Sequence, residues 1–204
     1  MKVKFVSIKI IYTIVLFLFL IVLFLGISIY VNRIQVYPTE LEKKKLESFF
    51  NDQNLEDVKD IITVQNKVET AILHENTGEE RLDILKTFAL RGGQCFDRSL
   101  LLQKYFVLKG FRIRPVYLFW RTDGTTSIFD FFKKDINSHN VFEIYFQNKW
   151  YLIRTNHKMD HLESLDHYLN FGEVVPPHTR YIRYLNNRNG KFLYPNYLPD
   201  IYFF

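Results

Sequence analysis

The chain of 204 residues has a single cysteine, Cys95. No disulfide bond can form within the chain, so it does not belong to the small secreted folds that disulfides stabilise. Cys95 is also the only thiol available for chemistry. Its local sequence therefore decides whether a thiol-based function is plausible.

The chain also lacks a large excess of charge of one sign. Lys and Arg number 27 against 22 Asp and Glu, a formal net charge of +5. Three of those lysines lie in residues 1–31, which contain no acid, so the remaining 173 residues have a net charge of only +2. Because no basic stripe interleaved with aromatic residues follows, we expect no nucleic-acid partner. A hydrophobic content of 48% excludes wholesale disorder.

Residues 10–31 contain no charged side chain at all. As a helix they would extend about 33 Å, enough to cross a hydrocarbon core of about 30 Å. Residues 1–31 are therefore predicted to be a signal anchor whose transmembrane helix contacts the lipid bilayer through residues 10–31. Lys2, Lys4 and Lys9 precede the run and favour a cytoplasmic N-terminus, which would make this a single-pass membrane protein with an extracytoplasmic domain.

Two alternatives exist for this segment. A cleaved signal peptide has an apolar region of about 7–15 residues ending in small residues, whereas this run is longer and Gly26-Ile27-Ser28 is a poor cleavage site. A buried core helix is disfavoured because Leu, Ile, Val and Phe occupy every face.

The rest of the chain is predicted to be a short linker, 32–38, followed by one domain, 39–204. Helical patterns come first and strand-like patterns follow, which indicates an α+β fold with helices packed on an antiparallel sheet. Thr39 and Glu42 form a capping-box pattern at the first helix. Helices are predicted over 39–50, about 58–73, 79–90, 95–108 and 160–171. Gly92-Gly93 would end the helix over 79–90, and Gly110 would end the helix over 95–108. Strands are predicted over 112–120, 127–132, 141–146, 149–153, 180–185 and 191–194.

Cys95 follows a loop with two glycines and precedes an apolar helical pattern. The unpaired N–H groups and positive dipole at a helix N-terminus favour a thiolate and can stabilise an oxyanion. A nucleophilic thiol needs a base, for which a histidine is suited. His139, at a predicted loop-to-strand junction, is the best candidate.

At these residues the chain resembles the transglutaminase-like superfamily, whose core is papain-like. The resemblance covers about residues 82–156, within a predicted core of about 79–156. Five short motifs occur in order: Gly93-x-Cys95-x-Asp97-x-Ser99, Gly110, Ile113-Arg114-Pro115-Val116, His139-x-x-x-Glu143-x-Tyr145 and Trp150.

The resemblance implies that Cys95 is the nucleophile and that His139 is the general base and later the general acid. The family's third residue, an aspartate that orients the histidine, would fall four residues after Trp150, where this chain has Arg154. A guanidinium has no acceptor for an imidazole N–H. Asn156, two residues later, is the predicted orienting residue. Because Arg154 departs from the family's pattern, two alternatives stay open. The chain has either a changed catalytic triad or an inactive domain that descends from the family's enzymes.

The sequence therefore predicts a membrane-anchored cysteine hydrolase or acyltransferase that acts on peptide-like amides of a peptide or protein substrate through a thioester. The alternative is a catalytically degenerate domain that serves as an anchored binding or scaffolding module. We expect neither cofactor nor metal, because this mechanism needs none. His157 and His161 have helical i, i+4 spacing but lack the glutamate of an HExxH motif.

Overall fold

The structure, a computed structural model, describes residues 2–31, 36–75, 82–121, 123, 125–127, 137–171 and 179–183, with the α1 side chains described over 10–24. These residues form six helices and two small sheets, which confirms the α+β class. The elements in chain order are α1 (Lys2–Val31), α2 (Glu40–Phe50), α3 (Val58–Ala71), β1 (Leu73–His74), α4 (Ile84–Leu90), β2 (Gly92–Gly93), α5 (Cys95–Leu108), β3 (Arg112–Trp120), β4 (Asn137–Phe146), β5 (Lys149–Ile153), α6 (Leu165–Phe171) and β6 (Arg180–Arg183).

The larger sheet has four strands in the order β5-β4-β3-β6, and every neighbouring pair is antiparallel, as predicted. In this register Arg114 of β3 lies opposite Glu143 of β4, and Leu118 lies opposite His139. The Arg114 Nε and Nη2 groups donate to the Glu143 carboxylate at 2.5 and 2.8 Å. This pair joins the two central strands of the sheet.

Helix α5 packs against this sheet, and the main hydrophobic core lies between them. Leu101, Phe106 and Phe142 are buried in it, and Tyr105 stacks on Phe50 of α2 with ring centroids 3.9 Å apart. At the start of α2, one side chain takes part both in a cap within the helix and in a contact with α5. Glu42 completes the predicted capping box with Thr39, and its other oxygen accepts a 2.6 Å hydrogen bond from Lys104 of α5.

Several predicted boundaries moved. Helix α4 begins at Ile84 because Asp83 caps it by accepting from the Lys86 N–H, while 79–81 lie outside the described residues. Gly92-Gly93 does not end that helix. Arg91 ends it in the left-handed conformation, and the two glycines form β2, parallel to β1. The predicted helix over 160–171 begins only at Leu165.

Predicted strand bounds were partly met. Strands β3 and β5 have the predicted bounds, whereas β4 begins earlier, at Asn137. Strand β6 covers Arg180–Arg183 and pairs with β3. The segments 128–132, 184–185 and 191–194 lie outside the described residues, as does the predicted partner of β6.

The predicted transmembrane helix was wrong. Among the residues that the structure describes, no helix is both long enough and apolar enough to cross a membrane. The predicted single-pass localisation, with a cytoplasmic N-terminus and a bilayer contact through 10–31, is contradicted by the same finding.

The start of α5 is held in place by the carboxylate of Asp97, which is 1% exposed. Its Oδ1 accepts from the Leu82 N–H at 2.9 Å, and its Oδ2 accepts from the Gln94 N–H at 2.8 Å. Gly93 leaves room for this arrangement, since a Cβ there would lie 2.9 Å from the Asp97 Cβ. One carboxylate thus joins the segment before α4 to the first turn of α5.

We predict that Asp97→Asn destabilises the protein by about 1–3 kcal/mol, measured as the free energy of unfolding in urea. The amide has one acceptor oxygen, so one of the two backbone N–H groups would face an NH₂ group. Asp57→Asn is the matched control. Asp57 caps α3 in an exposed capping box, and asparagine caps a helix about as well as aspartate does. Equal losses in both variants would contradict this account of Asp97.

Candidate active site

Cys95 is the first residue of α5 and is 6% exposed. Its sulfur receives hydrogen bonds from the backbone of Asn140 and of Phe96. Phe96 belongs to the same helical turn, whereas Asn140 belongs to β4 and directly follows His139. The thiol therefore lies against the strand that carries the predicted base.

His139 is 9% exposed and lies on β4 opposite Leu118 of β3. Its Nδ1 lies 3.3 Å from the amide nitrogen of Asn156. The structure thus places His139, the predicted base, beside Asn156, the predicted orienting residue. It also places Asn140, which follows His139 on β4, against the predicted nucleophile Cys95. Their catalytic roles remain predictions.

Asn156 reaches His139 by a different route from the one predicted. Strand β5 ends at Ile153, so Asn156 does not lie on a strand face. The loop after β5 is instead held by polar contacts. Thr155 Oγ1 donates to the Asn140 carbonyl at 3.2 Å and to Asn156 Oδ1 at 3.4 Å. The Gln65 amide of α3 donates to the carbonyls of Arg154 and His157 at 3.0 and 2.8 Å.

Among the described residues, Arg154, at the position predicted for the orienting aspartate, forms no hydrogen bond or ion pair with His139. Its Nε lies 3.7 Å from Glu163 Oε1, and its guanidinium lies over the Tyr168 ring, 5.6 Å from the centroid. The side chain therefore interacts with the segment around α6. The place that the family's carboxylate would take beside the histidine is occupied by the Asn156 amide.

Burial dominates the electrostatics of Cys95 and His139. Burial, with a smaller contribution from Asp97, raises the pKa of the Cys95 thiol to about 11, against the opposing effects of the backbone hydrogen bonds and Arg98. Burial, followed by the charges of His74, His157 and Arg98, lowers the pKa of His139 to about 3. At neutral pH the site therefore holds a neutral thiol and a neutral imidazole. The thiolate favoured by the helix N-terminus does not form at rest, because desolvation outweighs the dipole.

The His139–Asn156 contact determines which ring nitrogen can act as a base. With the amide nitrogen donating to Nδ1, the proton of the neutral ring lies on Nε2. Rotating the amide by 180° presents Oδ1 to the ring instead, which places the proton on Nδ1 and leaves Nε2 free to accept one. An asparagine can present either group in the same space.

Sequence analysis missed two buried polar residues behind the site, Gln103 and Asn140. Gln103 Nε2 donates to Ser99 Oγ at 2.9 Å, and Ser99 Oγ donates to Asn140 Oδ1 at 3.3 Å. This chain connects α5 to β4 next to His139. A signal for Gln103 was present in the sequence, because Cys95, Ser99 and Gln103 recur every four residues and so lie on one face of α5.

Sequence analysis also missed Arg98, which is 1% exposed and adds a buried cation to the first turn of α5. Its charge acts on Cys95, His74 and His139. In the described part of the chain, no group of three or more His, Cys, Asp or Glu residues is arranged to hold a metal ion. The side chains described at this site supply a thiol, imidazoles, amides, a carboxylate and a guanidinium.

We predict that His139 makes the protein less stable at acid pH. Its pKa of about 3 in the folded state lies below the ordinary value of about 6.5. Between these values the unfolded state binds a proton that the folded state does not, so stability is complete above pH 6.5 and falls as the pH drops toward 3. Between pH 7 and pH 5 the wild-type protein should lose about 2 kcal/mol of unfolding free energy that His139→Gln retains.

The measurement is urea unfolding at the two pH values. His161→Gln, at an exposed position, is the control and should follow the wild-type pH dependence. A pH dependence unchanged by His139→Gln would show that His139 titrates alike in both states.

Comparisons with known proteins show little. No protein-family model matches the chain, and no curated protein matches it. A solved structure described as "a putative cysteine protease from Cytophaga hutchinsonii" is similar, at 12% identity and a TM-score of 0.42, over 72% of this chain and 49% of that one. This chain thus spans about half the length of that structure. The description is consistent with a papain-like fold, but so distant a likeness carries no argument, and membership of the transglutaminase-like family is not shown.

Proposed function

We propose that this chain is a cysteine hydrolase or acyltransferase that acts on peptide-like amides through a thioester on Cys95. The observation that carries the proposal is that the Asn140 backbone contacts the Cys95 sulfur while His139, the residue before Asn140, contacts Asn156. The His139–Asn156 contact at 3.3 Å and the hydrogen bond from the Asn140 backbone to the Cys95 sulfur support it. Nothing in the sequence spacing alone requires these residues to meet.

The proposed reaction starts from the neutral pair. With the Asn156 oxygen holding the proton of Nδ1, the His139 Nε2 accepts the thiol proton as the Cys95 sulfur attacks the amide carbon. Backbone N–H groups at the start of α5 stabilise the oxyanion. The C–N bond then breaks and His139 gives its proton to the departing amine. Because burial lowers the His139 pKa to about 3, the imidazolium is a strong acid for this step. Water or an amine then cleaves the thioester.

A groove among the described residues is the place that we propose for a substrate side chain. It has a volume of about 670 Å³, in the range of ligand sites, and lies between α2, α3 and α4. Lys45, Phe49, Phe88 and Arg91 contribute a basic and aromatic lining. Leu73 also lines the groove and directly precedes His74, whose charge acts on His139. We propose that a substrate side chain occupies this groove while its carbonyl lies at Cys95.

The second candidate function is a degenerate domain retained as a binding or scaffolding module. Two observations favour it: Arg154 stands at the family's aspartate position and interacts with Glu163, and burial disfavours both the thiolate and the imidazolium. The two functions differ in one measurable property. Only the enzyme forms an acyl group on Cys95.

We predict that the purified protein gives a burst of p-nitrophenol from p-nitrophenyl acetate and gains one acetyl group by intact mass. Cys95→Ala should abolish both signals, since Cys95 is the only thiol. His139→Ala should slow the burst by about 10²–10⁴-fold, the usual contribution of a general base. Adding cadaverine distinguishes two fates of the acetyl thioester on Cys95. Faster loss of the acetyl group indicates acyl transfer to the amine, and an unchanged rate of loss indicates hydrolysis.

Both variants should first be shown to fold, by their urea unfolding transitions. An equal burst in Cys95→Ala would place the reacting group elsewhere and contradict the proposal. A folded wild-type protein that gives no burst would instead support the scaffolding module.

We predict that Asn156→Ala slows the burst by about tenfold, because the imidazole loses the group that orients it. Asn156→Asp should keep the rate near that of the wild type, since a carboxylate accepts the Nδ1 proton from the same place. The burst rate and the acetylated mass are the readouts. An unchanged rate in Asn156→Ala would remove Asn156 from the orienting role and leave Cys95 and His139 unaffected.

A further inference from the structure

Arg98 is buried without a full set of hydrogen-bond partners. It is 1% exposed and is among the largest fully buried side chains of the described residues. Within that part of the chain its Nε and Nη2 atoms are buried and have no hydrogen-bond partner. Burying a guanidinium without partners costs several kcal/mol, so packing alone does not explain it.

The position of Arg98 relates it to Cys95. It follows Cys95 by three residues in the first turn of α5, and residues three apart lie on the same helix face with Cβ atoms about 5–6 Å apart. Both side chains are buried. The charges of the two groups also act on each other, so the guanidinium with its two unpartnered N–H groups lies near the sulfur that would become negatively charged.

We propose that Arg98 is a positioning residue whose guanidinium compensates the negative charge that forms on Cys95 during the reaction. The inference rests on the proposed function. In the first step the proton moves from the Cys95 sulfur to His139, and the electron pair stays on sulfur and then forms the C–S bond. Arg98 keeps its proton throughout. It supplies a fixed positive charge that opposes the effect of the Asp97 carboxylate on the Cys95 thiol.

The surrounding charges agree with this assignment. Arg98 lowers the pKa of the Cys95 thiol, and the Cys95 charge in turn raises the pKa of Arg98. Glu69 of α3 also acts on Arg98, while His74, His157 and Asp97 complete the charged groups that act on Cys95 or His139. Arg98 also lowers the pKa of His139. It thus favours loss of the proton by both groups, which helps the imidazolium to pass its proton to the leaving amine.

Because we propose that Arg98 serves the site and not the fold, we predict two effects of replacing it, one on the urea midpoint and one on the ionisation of Cys95. Replacing Arg98 by a neutral side chain of similar length should leave the urea midpoint unchanged or raise it, because an incompletely paired buried charge is removed. The same change should make the Cys95 thiol harder to ionise. A merely structural arginine would give the opposite stability result.

The experiment measures the rate of Cys95 alkylation by iodoacetamide in the full chain between pH 7 and pH 9.5. We expect Arg98→Met to be alkylated about tenfold more slowly at pH 8, since one pKa unit changes the thiolate fraction tenfold. Arg98→Lys keeps the charge and should stay within about threefold of the wild type. The His139 Cε1–H signal, followed by NMR, should titrate at higher pH in Arg98→Met.

Arg154→Met is the matched control. Arg154 is also largely buried and has an unpartnered Nε, but it is not among the charges that act on Cys95 or His139. It should leave the alkylation profile unchanged.

Three results would overturn the proposal: an unchanged alkylation profile in Arg98→Met, an equal slowing in Arg98→Met and Arg98→Lys, or failure of both variants to fold. Because alkylation reports the thiol and not acyl transfer, the Arg98 result can fail while the acetyl burst persists. Absence of alkylation in the folded wild-type protein, together with absence of the burst, would overturn both proposals.

Discussion

The packing of helix α5 against strand β4 is the interaction on which the candidate site depends. The hydrogen-bonded chain from Gln103 through Ser99 to Asn140 connects the two elements, and the Asn140 backbone contacts the Cys95 sulfur. Phe106 and Phe142 pack beside this contact, with ring centroids 5.9 Å apart. Apolar packing brings the elements together, and the directional polar contacts fix their relative position.

The same packing determines the electrostatics of the site. Water is excluded from Cys95 and His139, so both are neutral at rest, and any charge formed there must be compensated by the protein. Arg98, on the helix of the nucleophile, carries a positive charge that acts on Cys95. The site therefore differs from one that stores a thiolate–imidazolium pair, because here the charges are proposed to form only as the proton moves.

Sequence patterns predicted the elements whose signals are local. The Thr39–Glu42 capping box was confirmed because both partners lie within one helical turn, and Gly110 ends α5 with a φ of 82°. The Arg114–Glu143 pair follows from the register of β3 and β4. The glycines of β2 were misassigned because their pairing with β1 joins segments distant in the chain. The predicted transmembrane helix was wrong, because no helix among the described residues is both long enough and apolar enough to cross a membrane.

By itself the sequence determined which groups are available for chemistry: one thiol at the start of an apolar helix, a histidine at the start of a strand and an arginine in place of an aspartate. These follow from residue identity and local propensity. Only the tertiary structure decided that Asn156, beyond the end of β5, reaches His139, and that Arg98 is buried behind Cys95. Both depend on how segments distant in the chain pack together. The same packing buries Cys95 and His139 and so determines their protonation states, which cannot be read from a sequence pattern.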